Sequence, residues 1–143
     1  MGIPGTMEQG KVALFFTFAF SLFTLQSCGG KHANYGLDDD GNPIPTELQP
    51  NFNSIKALVL QQKCLSCHSQ GGTAASVPLS SADEMIHSPR EIVLPGNPDE
   101  SGLVIAIERT DSRQMPPLNS GIERLDNEEI GVIRQWIQEG ASQ

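Results

Sequence analysis

The sequence predicts an all-α fold of four or so short helices joined by long loops, and two observations favour this class. After residue 50, four segments open with helix-capping signals and continue with apolar residues three and four positions apart. Two short apolar runs, 77–79 and 92–94, are bounded by Pro or Gly, which favours extended loop over strand. We therefore expect helices and loops throughout residues 51–143.

The first two predicted helices are short. One starts at a cap on Asn53 or Ser54, buries one apolar face and brings Cys64 to its end. The other starts at Ser81, because Ser81 and Glu84 have the spacing of a capping box, and it ends before the next proline.

The last two predicted helices have the clearest start signals. The third starts at Asn97 as cap, with Pro98 at its first position. The fourth starts at Asp126, has Glu129 three positions later and closes at Gly140, a length of about 13 residues. Its predicted inward face consists of Ile130, Ile133, Trp136 and Ile137.

The N-terminus has the pattern of an export signal. An apolar run of 14 residues, 12–25, follows a lysine and is too short to span a bilayer comfortably. Its end, with Leu25 three positions before Cys28 and Ser27 just before it, resembles the lipobox of bacterial lipoproteins. That resemblance implies a signal peptide over 1–27 and lipidation of Cys28, which would anchor the chain to a membrane. The alternative is an ordinary secreted protein with a free Cys28 thiol.

The segment after the lipidated cysteine is predicted to be a flexible tether. Residues 28–50 are rich in Gly, Asn, Asp and Pro and lack helical or alternating periodicity. Such a coil reaches about 25 to 30 Å. Gly29 is not the Asp that resembles an inner-membrane retention signal. We therefore expect a periplasmic domain, residues 51–143, held at the outer membrane.

The charge of the chain limits its partners. It has 17 acidic and 9 basic residues, a net charge of -8. Nucleic acids and anionic lipid headgroups need clustered cations, so we expect no nucleic-acid partner and membrane contact through the lipid alone.

The most informative motif is C-x-x-C-H at Cys64, Cys67 and His68. Two thiols at this spacing can each bond one vinyl group of a haem, and the adjacent His can reach the iron from the same side. Five of the six Phe lie in the leader, so a cofactor would also complete a core poor in aromatics. Three alternatives remain open: a redox dithiol, a disulfide, and a zinc site, for which His87 is the one further His after the tether.

Several motifs in order along residues 52–143 are similar to those of the small monohaem class I cytochromes c, in their planctomycete-type form. They are CLSCH at 64–68, GG at 71–72, PGNPDES at 95–101, MPP at 115–117 and WIQEGA at 136–141. The resemblance implies a compact helical fold with crossing first and last helices, one covalent haem c, and His/Met ligation of iron. It also implies a carrier that passes single electrons to a redox protein partner, not an enzyme, and no small-molecule substrate.

The sixth ligand of the iron is predicted to be Met115, opposite His68. Once the leader is removed only Met85 and Met115 remain, and Met85 lies on a short amphipathic helix, where Met is usually core filler. Met115 precedes two prolines that restrict its loop. The alternatives are a Met115 that merely packs, and His87 as ligand.

Other residues near this site have candidate roles. Arg109 and Arg113 flank the Met loop and are candidates for binding haem propionates, or else are surface charges. Pro78 resembles the family proline whose carbonyl accepts the ring N–H of the ligand His. Acidic residues within 123–129 would steer a basic partner or simply favour the start of the last helix.

The function expected from the sequence is membrane-tethered electron transfer outside the cytoplasm. The alternatives are a haem-based sensor or small-ligand binder whose sixth position opens, a peroxidase-like enzyme, and a thiol-disulfide enzyme.

Replacing Cys28 by Ala tests the predicted anchor. Expressed in a bacterium, the unchanged chain is expected to incorporate labelled fatty acid and to partition into detergent, and Cys28→Ala to do neither, because the thioether carries the lipid. Equal labelling of both chains would contradict the assignment.

Overall fold

A computed structural model describes residues 36–37, 41 and 43–143. These residues belong to one compact unit, His32–Gln143. The predicted signal peptide over 1–27, Cys28 and most of the tether over 28–50 lie outside the described residues. No helix in the described part of the chain is long and apolar enough to cross a membrane.

The described residues form six α-helical segments, one π-helical turn and one 3₁₀ turn. The α-helices are α1 Phe52–Ile55, α2 Gln61–Lys63, α3 Leu65–His68, α4 Ala82–Ile86, α5 Gly102–Glu108 and α6 Asn127–Gln138. A π-helical turn, Lys56–Leu60, joins α1 to α2, and a 3₁₀ turn, Pro98–Glu100, precedes α5. Across residues 43–143 there is no β-strand, and residues 77–79 and 92–94 lie in loops. The predicted all-α class is confirmed.

The first helix begins earlier than predicted. Asn51 is its cap, and the Asn51 side chain accepts a hydrogen bond from the Ser54 N–H at 2.9 Å. Ser54 instead lies inside the first turn, where its hydroxyl donates to the Glu47 carbonyl and accepts from the Gln49 N–H. The predicted cap at Asn53 or Ser54 is therefore wrong, because the Ser54 hydroxyl is used by the preceding segment.

From Phe52 to Lys63 the chain is one nearly continuous helix. The π-helical turn in its middle is closed by a bond from the Gln61 N–H to the Lys56 carbonyl. Ile55 and Val59 on its inner face are buried. As predicted, the helix delivers Cys64 at its end, where the backbone leaves helical geometry with φ -130°.

The third predicted helix is divided in two. Ser101 interrupts it, since the Ser101 hydroxyl donates to the Asn97 carbonyl and accepts from the Leu94 N–H, both at 2.9 Å. The Asn97 side chain donates to the carboxylate of Glu100 and does not cap the helix. The longer helix of this region thus begins after Ser101, at Gly102.

The predicted capping boxes differ in completeness. Asp126 and Glu129 bond each other's backbone N–H at 2.9 and 2.8 Å, which is a full capping box at the start of α6. At α4, the Ser81 hydroxyl accepts from the Glu84 N–H at 3.2 Å. Helix α6 has 12 residues and ends at Gln138, close to the prediction.

Helices α1 and α6 pack together in the core. The ring centroids of Phe52 and Trp136 lie 5.8 Å apart. The indole N–H of Trp136 donates a hydrogen bond to the Ser142 carbonyl at 2.7 Å. Ile133 and Ile137 on α6 are fully buried. The contact between first and last helices that the resemblance implies is thus present.

An ion pair ties the end of α2 to the start of α6. The Lys63 ammonium lies 2.7 Å from the Glu129 carboxylate and also donates to the Arg124 carbonyl at 3.3 Å. The Lys63 and Glu129 side chains are only 16% and 14% exposed. Because Lys63 immediately precedes Cys64, this pair fixes the C-x-x-C-H turn against the last helix.

Removing one partner of this pair should destabilise the fold measurably. We expect Lys63→Met to lower the free energy of unfolding by about 1 to 3 kcal/mol, because Glu129 keeps its charge in a poorly solvated place. Arg113, whose side chain is 75% exposed, gives the control. Arg113→Gln should change stability by less than about 0.5 kcal/mol. Denaturant unfolding checks both, and equal effects would contradict a structural role for the pair.

Candidate functional site

The turn Cys64–His68 brings three reactive side chains together. The N–H groups of Cys67 and His68 both donate to the Cys64 carbonyl, at 3.1 and 3.0 Å, and close one helical turn. Both cysteines are free thiols, and all three side chains are half-buried. One rigid turn therefore carries the whole motif.

The ring of His68 is held by a backbone carbonyl. Its Nδ1 lies 2.9 Å from the Val77 carbonyl oxygen. Because a carbonyl can only accept, Nδ1 carries the proton, and Nε2 keeps its lone pair for another partner. The predicted acceptor Pro78 is wrong by one residue. The bond from the Leu79 N–H to the His68 carbonyl and a turn ending at Val77 direct the Val77 carbonyl to the ring.

Gly72 lets the loop after the motif return close to it. A Cβ atom at Gly72 would lie 2.3 Å from the Cys67 carbonyl oxygen, well inside any permitted contact. Two residues later, the Ala74 N–H donates to that same oxygen at 2.9 Å. The loop that carries Val77 is thus packed directly onto the cysteine turn, and only glycine fits at the point of contact.

The four predicted ligand residues line one cavity of about 410 Å³, a usual size for a cofactor site. Cys64, Cys67 and His68 form part of its wall, and Met115 forms another part. Most of the remaining wall is apolar and comes from the loops and from α5. These residues include Val77, Leu79, Ile92, Leu103, Ala106, Ile107, Pro116 and Ile122.

The Met115 loop is anchored to α5. The Met115 N–H donates to the Ala106 carbonyl at 2.9 Å. The side chain of Gln114, only 2% exposed, donates to the Pro116 carbonyl at 3.2 Å. These bonds hold Met115 half-buried at the cavity wall.

The other two candidate ligands lie elsewhere. Met85 is fully buried in the core and does not line the cavity. His87 is 74% exposed and pairs with Asp83 at 3.0 Å. In the described part of the chain, no three His, Cys, Asp or Glu side chains are grouped to hold a metal ion, so the zinc alternative gains no support.

The environment of Cys64 differs from that of a redox-active thiol. Burial, together with the nearby Glu129 carboxylate, raises the pKa of the Cys64 thiol to about 11. A thiol-disulfide enzyme needs a cysteine with a lowered pKa, so that the thiolate is present at neutral pH. The thiol-disulfide alternative is therefore disfavoured.

The charged residues at the cavity are not those proposed from the sequence. Arg109 and Arg113 do not line it, and both pair with Asp111. The pKa of Asp111 is lowered to about 2, mainly by hydrogen bonds from the Arg109 side chain and also by the hydrogen bond from the Arg113 N–H. The cations that do line the cavity are Lys63 and Arg90. Sequence reasoning missed both, because only the folded chain brings them to the wall.

The acidic residues near the start of α6 have structural partners. Asp126 and Glu129 form the capping box, and Glu129 also pairs with Lys63. These contacts favour the helix-start interpretation of this acidic segment over partner steering.

A family model matches part of the chain. Residues 64–119 match the model described as planctomycete cytochrome C. The matched segment runs from Cys64 past the Met115 loop, so it contains all four predicted ligand residues. The resemblance found in the sequence is confirmed over residues 64–119. No curated protein and no solved structure is significantly similar to the chain.

Two glycine substitutions test the close packing of the loop onto the cysteine turn. We expect Gly72→Ala to destabilise the fold by about 2 kcal/mol or more, because the new methyl group overlaps the Cys67 carbonyl. Gly131 lies within α6 with no atom near its Cβ position. Gly131→Ala should stabilise by about 0.5 to 1 kcal/mol. Thermal unfolding measures both, and a neutral Gly72→Ala would contradict the packing.

Proposed function

We propose that this chain, whose residues 64–119 match the family model described as planctomycete cytochrome C, is a c-type cytochrome that carries single electrons between redox protein partners. One observation carries the proposal. Two thiols, an imidazole with a free Nε2 and a thioether line the same apolar cavity. This donor set fits one haem c, with two covalent attachments and two axial ligands.

Cys64 and Cys67 would hold the haem. Each thiol would add its sulfur and its hydrogen across one vinyl double bond, which forms a thioether and requires no further reactant. Both cysteines lie on the turn that also carries His68, so the covalent bonds and the first axial ligand share one rigid frame. The bound haem supplies a one-electron couple at its iron.

His68 would ligate through Nε2. The Val77 carbonyl holds the proton on Nδ1 and fixes the ring orientation, which raises the basicity of the ligating nitrogen. Met115 would ligate through its sulfur. A thioether is a weak ligand, and the bond from the Met115 backbone to Ala106 keeps it in place.

The apolar wall would exclude water from the iron. Leu79, Ile92, Leu103 and Ile107 surround the site with hydrocarbon and provide no acid or base. A low local polarity disfavours the more positive, oxidised iron and so raises the reduction potential. An enzyme acting at the iron would need an acid or base group near an open position. These features support a carrier over a peroxidase-like enzyme.

The rim of the cavity would give partners access. Arg90, Pro117 and Ser120 line the cavity and are also exposed to solvent. An electron can pass to a partner docked at such a rim without the iron being opened. We further propose that lipidated Cys28 and the tether over 28–50 hold the domain on the periplasmic side of a membrane, the outer membrane in a two-membrane cell.

Met115→Ala tests the proposed ligation and, with it, the closed carrier site. We expect loss of the sulfur-to-iron charge-transfer band of the oxidised protein. The reduction potential should fall by about 0.1 V or more, within the roughly 0.8 V range that axial ligands control. The reduced variant should bind carbon monoxide, whereas the unchanged protein should refuse it.

Met85→Leu is the matched control, because it removes the other thioether sulfur at similar volume. Its band and potential should be unchanged, and its stability should fall by less than about 1.5 kcal/mol. Loss of the band in Met85→Leu but not in Met115→Ala would contradict the assignment. Rapid carbon monoxide binding by the unchanged protein would favour the sensor alternative.

A further inference from the structure

The charged side chains that line the cavity are all cations. Lys63 and Arg90 contribute to its wall, and no Asp or Glu in the part of the chain that the structure describes does so. This is unexpected in a chain with a net charge of -8. A wall with positive charges and no negative ones is complementary to a bound group that carries negative charge at its edge.

The two cations differ in what they already bind. Lys63 pairs with Glu129 at 2.7 Å and donates to the Arg124 carbonyl. The Arg90 guanidinium forms no hydrogen bond or ion pair with any residue that the structure describes. Arg90 is therefore the cation at the cavity that is available to the bound group.

The backbone around Arg90 is fixed. The Arg90 N–H donates to the Ser88 hydroxyl at 3.2 Å, and the Glu91 N–H donates to the Ser88 carbonyl at 3.0 Å. Glu91 then adopts a left-handed backbone with φ 54°, and its carbonyl accepts from the Gly102 N–H at the start of α5. A Cβ at Gly102 would lie 3.2 Å from that carbonyl oxygen. The loop is thus packed against α5, and the arginine starts from a defined place.

The group expected in the cavity has two carboxylates. A haem carries two propionate side chains, and a guanidinium binds a carboxylate through two parallel N–H bonds. We propose that Arg90 binds a haem propionate and thereby raises the reduction potential of the iron. This inference rests on the proposed function. In this role Arg90 takes the place of Arg109 and Arg113, the candidates from the sequence. Both of those arginines pair with Asp111, and neither lines the cavity.

The expected effect follows from charge. A fixed positive charge beside the haem offsets the propionate and disfavours the oxidised, more positive iron. Without Arg90 the propionate charge is no longer offset, and the oxidised form gains stability. The potential therefore falls when Arg90 loses its charge.

Arg90→Gln and Arg113→Gln form a matched pair, because each removes one positive charge from an exposed arginine. Both are compared as haem-loaded proteins with an intact charge-transfer band. At a fixed solution potential, we expect the ratio of reduced to oxidised Arg90→Gln to fall about three- to tenfold. Arg113→Gln should change that ratio by less than a factor of two, and Arg90→Lys should recover part of the loss.

Infrared spectroscopy gives a direct second readout. With carbon-13 at the haem carboxyl carbons, a carboxylate stretching band should shift in Arg90→Gln and stay in place in Arg113→Gln. Equal potential shifts in both variants would indicate a general charge effect and overturn the inference. So would an unchanged carboxylate band in Arg90→Gln. A chain that attaches no haem at all would instead refute the proposed function, and the intact mass separates these outcomes.

Discussion

The site depends on one hydrogen bond, between Nδ1 of His68 and the carbonyl of Val77. It assigns the proton to Nδ1 and leaves Nε2 with an unprotonated lone pair. It exists only because the loop after the motif returns to the cysteine turn, and the backbone of Gly72 permits that return. The two cysteines, the histidine proposed as ligand and the carbonyl that orients its ring thus form one local structure within residues 64–79.

The remaining structure brings this local unit and Met115 to the wall of the same cavity. Packing of Phe52 on Trp136 joins the first and last helices, and the Lys63–Glu129 pair connects the end of α2 to α6. Helix α5 supplies the other wall and anchors the Met115 backbone through Ala106. Each of the two proposed ligands is held by hydrogen bonds that involve the backbone, so the small core does not have to define the site by side-chain packing alone.

The sequence predicted correctly those helix starts that depend on hydrogen bonds between residues close together in the chain. The capping residues Ser81 and Asp126 gave correct helix starts, because a cap bonds a backbone group three residues away. Errors arose where a side chain bonds a more distant segment. Ser101 interrupts a predicted helix because its hydroxyl accepts from Leu94, seven residues earlier. The sequence alone did not predict that Arg90 lines the cavity, because the position of Arg90 depends on backbone hydrogen bonds between its loop and α5.

The mass and extractability of the cofactor test the central claim most directly. The protein would be purified from a host with a working haem-attachment system, denatured, extracted with acidified acetone and weighed intact. Covalent attachment through Cys64 and Cys67 predicts a colour that stays with the polypeptide and a mass greater than that of the mature chain by one haem. A haem that extracts into the solvent, or a colourless folded protein with both thiols free, would contradict it.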